Sequence, residues 1–324
     1  MSGRVAGKGL VTCLVPTWGR LAACLRRVGA HGRFQIHPIG GWWWVGLAAV
    51  LCSLWSTVSA EPIVLAGPAM GTTYRVVLAA EIPGLTRSEV HREIEAVLAR
   101  IDTAANTWRD DSDVSRFNRV AAGEWVPVGD DLVRIVAIAR EVHAETDGAF
   151  AITVGPLVRL WQAAEEPTEA TLAEARTLVG MTLIELRPAA GGRPAALRKL
   201  RAGVCLDLGG IGPGYGVDCI GDRLAALGSR GHLVELGGEA RAWGTKPDGS
   251  CWRVRLPEGP DEVLELPPGR AVAFATVRPG RGPIDPRSGQ PVTTGPRTVR
   301  AMAGSCSRAD ARAVAVAVGW TPPE

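Results

Sequence analysis

Leu206-Asp207-Leu208-Gly209-Gly210-Ile211-Gly212-Pro213-Gly214-Tyr215-Gly216-Val217-Asp218 is the stretch on which a reading of this chain turns. The short apolar run Val204–Leu208 reads as a strand; a loop holding five glycines and then a helical pattern follow it. Such a loop exposes backbone N–H groups and sets a helix N-terminus beside them, and together these attract a phosphate. Asp207, where the strand ends, could accept from a ribose hydroxyl or a flavin-ring N–H. The same glycines would equally serve a tight strand-to-helix turn that needs positive φ. The residues alone leave both readings open.

Upstream, Ile63–Leu78 holds an apolar lead, a break at Gly67-Pro68-Ala69-Met70-Gly71 and the strand-like run Thr72–Leu78. Thr86-Arg87-Ser88-Glu89 has the form of a capping box, and Val90, Ile94, Val97, Leu98 and Ile101 recur behind it at helical spacing. Asp130–Ala144 and Thr171–Val179 carry similar patterns. Downstream, strands dominate through Leu233–Leu236 and Ala240–Gly244. Lys246-Pro247-Asp248-Gly249 is turn chemistry, so Ala240–Thr245 and Cys251–Leu256 are expected to form a hairpin. A last helix covers Ser307–Val318. Helices and strands mix without a regular βαβ alternation, which makes the fold class α+β.

Composition bounds the function. Among 324 residues, 46% are hydrophobic and 21% charged, as in a globular protein, and 40 Gly with 23 Pro point to many turns. Residues 1–60 hold six basic residues (Arg4, Lys8, Arg20, Arg26, Arg27, Arg33) and no acidic one. The remainder carries 30 basic against 33 acidic residues, so the electrostatic footprint of a nucleic-acid binder is absent. The 14 residues Trp42–Trp55 are apolar and are followed by Val58-Ser59-Ala60, a small-residue cleavage pattern. That run is short of the roughly 20 residues a spanning helix needs. Residues 1–60 are therefore expected to be a signal peptide or an N-terminal anchor, with residues 61–324 the functional domain. Beyond this leader, Cys205, Cys219, Cys251 and Cys306 lack zinc-type spacing; one or two disulfides or free buried thiols remain open.

Four other stretches are candidates for the site. Asn106–Asn118 is densely polar around Trp108 and Phe117: the Trp could stack on a planar ring, or the stretch could be an exposed Asx-rich turn. Thr146–Val158 is either backbone for a flat ligand or the entry to a core strand. Gly237-Gly238-Glu239 is either a β-bulge or a place of close ligand approach. Asp310, expected in the first turn of the last helix, either offsets that helix's dipole or binds Mg²⁺.

Their order carries a resemblance. Ala69-Met70-Gly71-Thr72-Thr73-Tyr74, Asn106-Thr107-Trp108, Asp113–Asn118, Thr146–Phe150, Leu206–Ile211, Glu235–Glu239, Gly244–Gly249 and Ile284–Gly289 together resemble the signature of the FAD:protein FMN transferase (ApbE) family from about residue 65 onward. The resemblance implies a flavin-transferase fold of mixed or antiparallel sheets flanked by helices. It implies an exported, periplasmic enzyme, free or tethered to the inner membrane by its N-terminus, that binds FAD and Mg²⁺. Such an enzyme attaches FMN to a Thr or Ser of a redox partner and releases AMP. Carried over, Met70, Trp108, Ala149, Phe150, Ala151, Asp207, Pro213 and Ile284 form the FAD site, and Gly210, Asp310, Ala313 and Val314 the metal site. Ligation falls to the carbonyl of Gly210 and the carboxylate of Asp310.

The departures from the family pattern concern its polar groups. Pro213 replaces a Lys, Ala151 an Asp, Pro283 a His and Val314 a Thr, while Ala275-Thr276-Val277 stands for Thr-Ser-Gly. Asp285 and Glu239 are candidates for a replacement base. Three readings follow: an FMN transferase, a flavin-binding or maturation factor of the same fold with little or no transfer, and a degraded homologue without ligand.

Overall fold

The computed structural model describes residues 62–163, 165–257, 262–278, 282–293 and 295–323. The signal peptide or anchor expected over residues 1–60 lies outside the described residues. Among the described residues no helix is long and apolar enough to cross a membrane.

In chain order the elements are β1 (Ile63–Ala69), β2 (Thr72–Leu78), α1 (Arg87–Ala105), α2 (Asp113–Arg119), β3 (Trp125–Pro127), α3 (Asp130–Glu145), α4 (Gly155–Gln162), α5 (Glu169–Arg176), β4 (Ile184–Arg187), β5 (Ala196–Lys199), α6 (Gly212–Ala226), β6 (His232–Leu236), β7 (Glu239–Trp243), β8 (Trp252–Arg255), β9 (Val263–Leu266), β10 (Ala271–Val277), β11 (Arg297–Ala303) and α7 (Cys306–Ala317). The principal sheet has the order β1-β2-β6-β7-β10-β11, with small sheets β3-β5-β4 and β8-β9 beside it. Every pairing between these strands is antiparallel. The α+β expectation holds, and the sheets are antiparallel rather than mixed.

Side chains alternate across the sheet with the strand period of two. Val234, Leu236, Ala271 and Ala273 join the main core with α1, α6 and α7, whereas Leu233, Ala240, Ala242 and Val272 pack with Trp252, Val254 and Leu266 of the β8-β9 ribbon. Helix α1 begins as its sequence indicates. The Thr86 hydroxyl accepts from Glu89 N at 3.2 Å, Glu89 Oε2 accepts from Thr86 N at 2.8 Å, and Val90, Ile94, Val97, Leu98 and Ile101 are buried.

Four local expectations are corrected. Val204–Leu208 pairs with no strand among the described residues. The Asn118 side chain replaces a neighbour, donating to Leu206 O at 3.0 Å and accepting from Leu206 N at 2.7 Å, and Asp207 N reaches Ile152 O at 2.7 Å. The expected hairpin between Ala240–Thr245 and Cys251–Leu256 is not formed, although its turn is (Lys246 N to Ser250 O, 3.0 Å); β7 is already flanked by β6 and β10, so β8 pairs with β9 on the opposite face. Gly237-Gly238 is not a bulge but the two-residue turn of the β6–β7 hairpin, with φ of 71° and 126°, between paired Leu236 and Glu239. Thr146–Val158 enters no strand; it leads through one turn of 3₁₀ helix at Ile152–Val154 into α4. Cys205, Cys219, Cys251 and Cys306 are free thiols.

Asn118 therefore satisfies two buried backbone groups next to Asp207. Asn118→Ala is expected to destabilise the protein by about 2–4 kcal/mol, because each orphaned group costs about 1–3 kcal/mol. Urea unfolding followed by circular dichroism measures it, and a loss under about 0.5 kcal/mol, the range of a bland surface change, would refute the clamp.

Candidate functional site

A cavity of about 320 Å³ opens between three elements. One wall is the β1–β2 turn with Met70 and Gly71; the second is the end of α1 and its following loop, from Asp102 to Trp108; the floor is Leu208, Gly209, Gly212 and Pro213. Met70 and Gly71 occupy the left-handed region, at φ 49° and 76°, between paired Ala69 and Thr72. A non-glycine residue held there costs about 1–3 kcal/mol, a strain that gathers at functional sites. The thioether leans over the start of α6: side chains built at Gly212 and Gly216 would meet Met70 at 3.5 and 3.6 Å.

Trp108 is 94% exposed at the cavity, yet its backbone is fixed. Asn106 Oδ1 accepts from Trp108 N at 2.8 Å, Asn106 Nδ2 donates to Asp102 at 2.7 Å, and Ser112 Oγ donates to Asn106 O at 2.6 Å. Hence Asn106–Asn118 is more than an exposed turn, with Ser112, Asp113 and Ser115 buried and Asn118 clamping Leu206. A large aromatic face is displayed on a rigid support.

The glycine loop corrects the phosphate-cradle reading and its alternative together. None of Gly209, Gly210, Gly212, Gly214 and Gly216 has positive φ, and the last three lie within α6. Most of the N–H groups point inward: Gly209 N donates to Asp207 Oδ1 (2.9 Å), Ile211 N and Gly212 N to Leu208 O (3.1 and 2.8 Å), and Gly214 N to Asp310 Oδ2 (3.1 Å). Pro213, second in α6, has no N–H to offer. What requires glycine is close approach. A Cβ on Gly210 would lie 2.7 Å from Val314 Cγ2, and one on Gly214 would lie 2.5 Å from Cys306 O and 2.8 Å from Asp310 Cβ.

That approach seats α7 beneath the loop. Asp310 is the fifth residue of α7, not in its first turn, and its carboxylate caps α6 through Gly214 rather than offsetting its own helix dipole. Burial first, then the Glu239 charge, holds the Asp310 carboxyl well above the usual range. Glu239, first in β7, is only 7% exposed, burial pushes its carboxyl up to about 7, and Oε2 has no hydrogen-bond partner among the described residues. The nearby Asp218 differs: it accepts from Cys306 N (2.8 Å), Ser307 N (2.9 Å), Ser307 Oγ (2.8 Å) and Arg241 Nη1 (2.7 Å).

The remaining candidate residues fall in three places. Ala149, Phe150 and Ala151 are buried behind the loop, with Phe150 Cε2 3.5 Å from a Cβ built at Gly210. Ile284 packs on Leu157 and Leu172, and its loop meets Gly148 through Arg287. Val314 faces the loop from α7, neither it nor the buried Ala313 brings a side-chain oxygen, and the Val314 carbonyl accepts from Val318 N at 3.2 Å. Of the candidate bases, Asp285 is engaged by Arg287 Nε at 2.9 Å and Nη2 at 3.0 Å, whereas Glu239 Oε2 has no partner among the described residues. Asp102 in the cavity wall and the Asp218 anchor escape sequence reasoning; among the described residues the Asp102 carboxylate is bonded only to Asn106 and Arg109 close by, whereas the carboxylate contacts of Asp218 reach residues 23 to 89 positions away.

Residues 70–320 match the ApbE family. The chain belongs to that family. It is 31% identical over 298 residues to the FAD:protein FMN transferase of Vibrio cholerae, spanning 85% of this chain and 87% of that one. The solved apo Pseudomonas stutzeri flavinyl transferase ApbE superposes with a TM-score of 0.71 at 34% identity, over 80% of this chain and 84% of the other. The flavin transferase ApbE of Vibrio cholerae gives 0.70 at 30% identity, over 80% and 87%.

In this ApbE chain two buried carboxylates, Asp310 and Glu239, stand near one another behind a loop whose N–H groups are largely engaged, a polarity that suits a hard cation better than an anion. Among the described residues no three His, Cys, Asp or Glu side chains are arranged to hold a metal. Carbonyls or ligand phosphates would have to complete a coordination shell.

Two outcomes test this geometry. Gly210→Ala should cost about 1–3 kcal/mol by overpacking, with Val314→Ala recovering part of it in the double variant; strict additivity of the two in chemical unfolding contradicts the contact. Glu239 titrates near 7 rather than its ordinary 4.5, so its charge costs stability increasingly between those pH values and constantly above them. In chelator, Glu239→Gln should exceed wild type by about 1–3 kcal/mol at pH 8, and the gap should close below about pH 4.5. A gap independent of pH would contradict the burial of this charge.

Proposed function

We propose that this protein is an FAD:protein FMN transferase. The hydroxyl oxygen of an acceptor Thr or Ser forms a bond to the FMN phosphorus, the pyrophosphate P–O bond breaks, AMP leaves, and the hydroxyl proton is released. Family membership with the relatives' shared activity supports this reading. The observation that carries it to this site is Trp108, an exposed ring on a fixed loop beside a cavity floored by the glycine loop. In this reading Trp108 stacks on a planar ring of FAD, Met70 closes the rim, and Asp207 accepts from a ribose hydroxyl or flavin N–H. Pro213, Ile284 and the Ala149–Ala151 backbone border the nucleotide. A Mg²⁺ held by the Gly210 carbonyl and Asp310 carboxylate would neutralise the charge that develops on the pyrophosphate. The basic, apolar leader supports export to the periplasm, with a possible tether to the inner membrane, and an acceptor in a redox system there.

A second reading, a flavin-binding or maturation factor, is favoured by one observation: among the described residues the cavity walls carry no Lys, Arg or His. One assay separates the two. The protein with FAD, Mg²⁺ and an acceptor peptide bearing Thr is expected to release AMP and yield flavinylated peptide by mass spectrometry; bound flavin without AMP selects the second reading. Trp108→Ala should raise the KM for FAD roughly tenfold, as lost ring stacking is worth about 1–3 kcal/mol, and an unchanged KM removes Trp108 from the site.

A further inference from the structure

The cation reading leaves a chemical gap. Of the four positions that the resemblance assigns to metal, Ala313 and Val314 bring no side-chain oxygen, and Asp310 uses Oδ2 to accept from Gly214 N. A hard divalent cation takes about six oxygens, so carboxylates placed nearby matter.

Glu239 is placed there by topology. It follows the Gly237-Gly238 turn and pairs with Leu236, so the two side chains share one face of the sheet. Leu236 shows which face this is, since its Cδ2 lies 3.0 Å from a Cβ built at Gly216 of α6. Glu239 therefore lies on the sheet face toward α6, the helix that Asp310 caps, with its Oε2 3.0 Å from a Cβ built at Gly237 of the preceding turn. Charges on Asp218, Asp310 and Glu239 all act on the buried Cys306 thiol, raising it after burial itself has done so. Of the three carboxylates, Asp218 is saturated by four donors, Asp310 has the Gly214 N–H, and Glu239 Oε2 has no partner among the described residues. A second buried carboxylate without a counter-charge, beside a first, is expensive unless something positive or protic meets both.

We propose that Glu239 is a ligand of the site's divalent cation, supplying an oxygen that Ala313 and Val314 do not. The inference rests on the reading that the site takes such a cation, and its test separates the two. Mn²⁺ serves as the probe: free Mn²⁺ is followed by electron paramagnetic resonance during titration of the protein, with and without FAD, and no turnover is required. Wild type is expected to bind one Mn²⁺, and Glu239→Gln to bind it at least about tenfold more weakly, the scale on which changes around a metal act. Adding Val314→Thr to Glu239→Gln should restore part of the affinity by returning a hydroxyl. Glu239→Asp keeps the charge on a shorter arm and should weaken binding less than Gln does, which serves if the Gln variant folds poorly. Equal Mn²⁺ affinity in wild type and Glu239→Gln, with Asp310→Asn weakened, overturns the role of Glu239 and leaves the cation reading intact. No Mn²⁺ bound by wild type in either condition overturns both.

Discussion

The Asp218 carboxylate is the joint on which this arrangement depends. It sits in α6, yet it accepts from the first two N–H groups of α7 and from the Ser307 hydroxyl, and it pairs with Arg241 of β7. Ser305, at the N-cap of α7, makes no side-chain cap. Another helix thus supplies the anion that the start of α7 attracts, and the charge is balanced by a guanidinium from the sheet. Three elements are fixed to one another at a single buried point. Removing either charge would leave the other stranded in a dry environment.

The elements that carry the buried carboxylates Asp310 and Glu239 meet at that joint. Seating α7 against α6 brings Asp310 to Gly214 and Val314 to Gly210, which only residues without a side chain permit. The same joint holds β7, whose first residue is Glu239. The resulting site differs from the anion cradle that a glycine-rich loop before a helix suggests. Its N–H groups are engaged by Asp207, Leu208 and Asp310, and its unbalanced groups are carboxylates. A site of that polarity can bring a cation to a dinucleotide's phosphates rather than bind the phosphates directly.

The substitutions at Pro213, Pro283 and Val314 are compatible with this fold because each position is accommodated locally. Pro213 stands near the N-terminus of α6, where a missing N–H leaves no intrahelical bond unmade. Pro283 contributes its carbonyl to Val292 N at 3.0 Å, and Val314 fills the space over Gly210 with a methyl group.

Much of the fold was legible in the sequence. The capping box and apolar spacing of α1, the extents of α3 and α7 and the α+β class all follow from local periodicity and turn chemistry, which neighbouring residues settle among themselves, whereas the break expected over Gly67–Gly71 shrinks to Met70-Gly71 because β1 runs on through Ala69. The order of the motifs sufficed for the family. The rest depended on partners far along the chain. Val204–Leu208 has the composition of a strand but is held by the side chain of Asn118, 88 residues before Leu206. Lys246–Gly249 makes its turn, yet the flanking strands go to other partners because β7 already has two. The glycines of the loop serve helix contact and not positive φ, and whether a carboxylate is saturated like Asp218 or partnerless like Glu239 depends on which donors the fold places around it. The sequence by itself determined the elements and the family; only the tertiary structure decided the polarity of the site, because hydrogen-bond satisfaction and burial are properties of long-range packing.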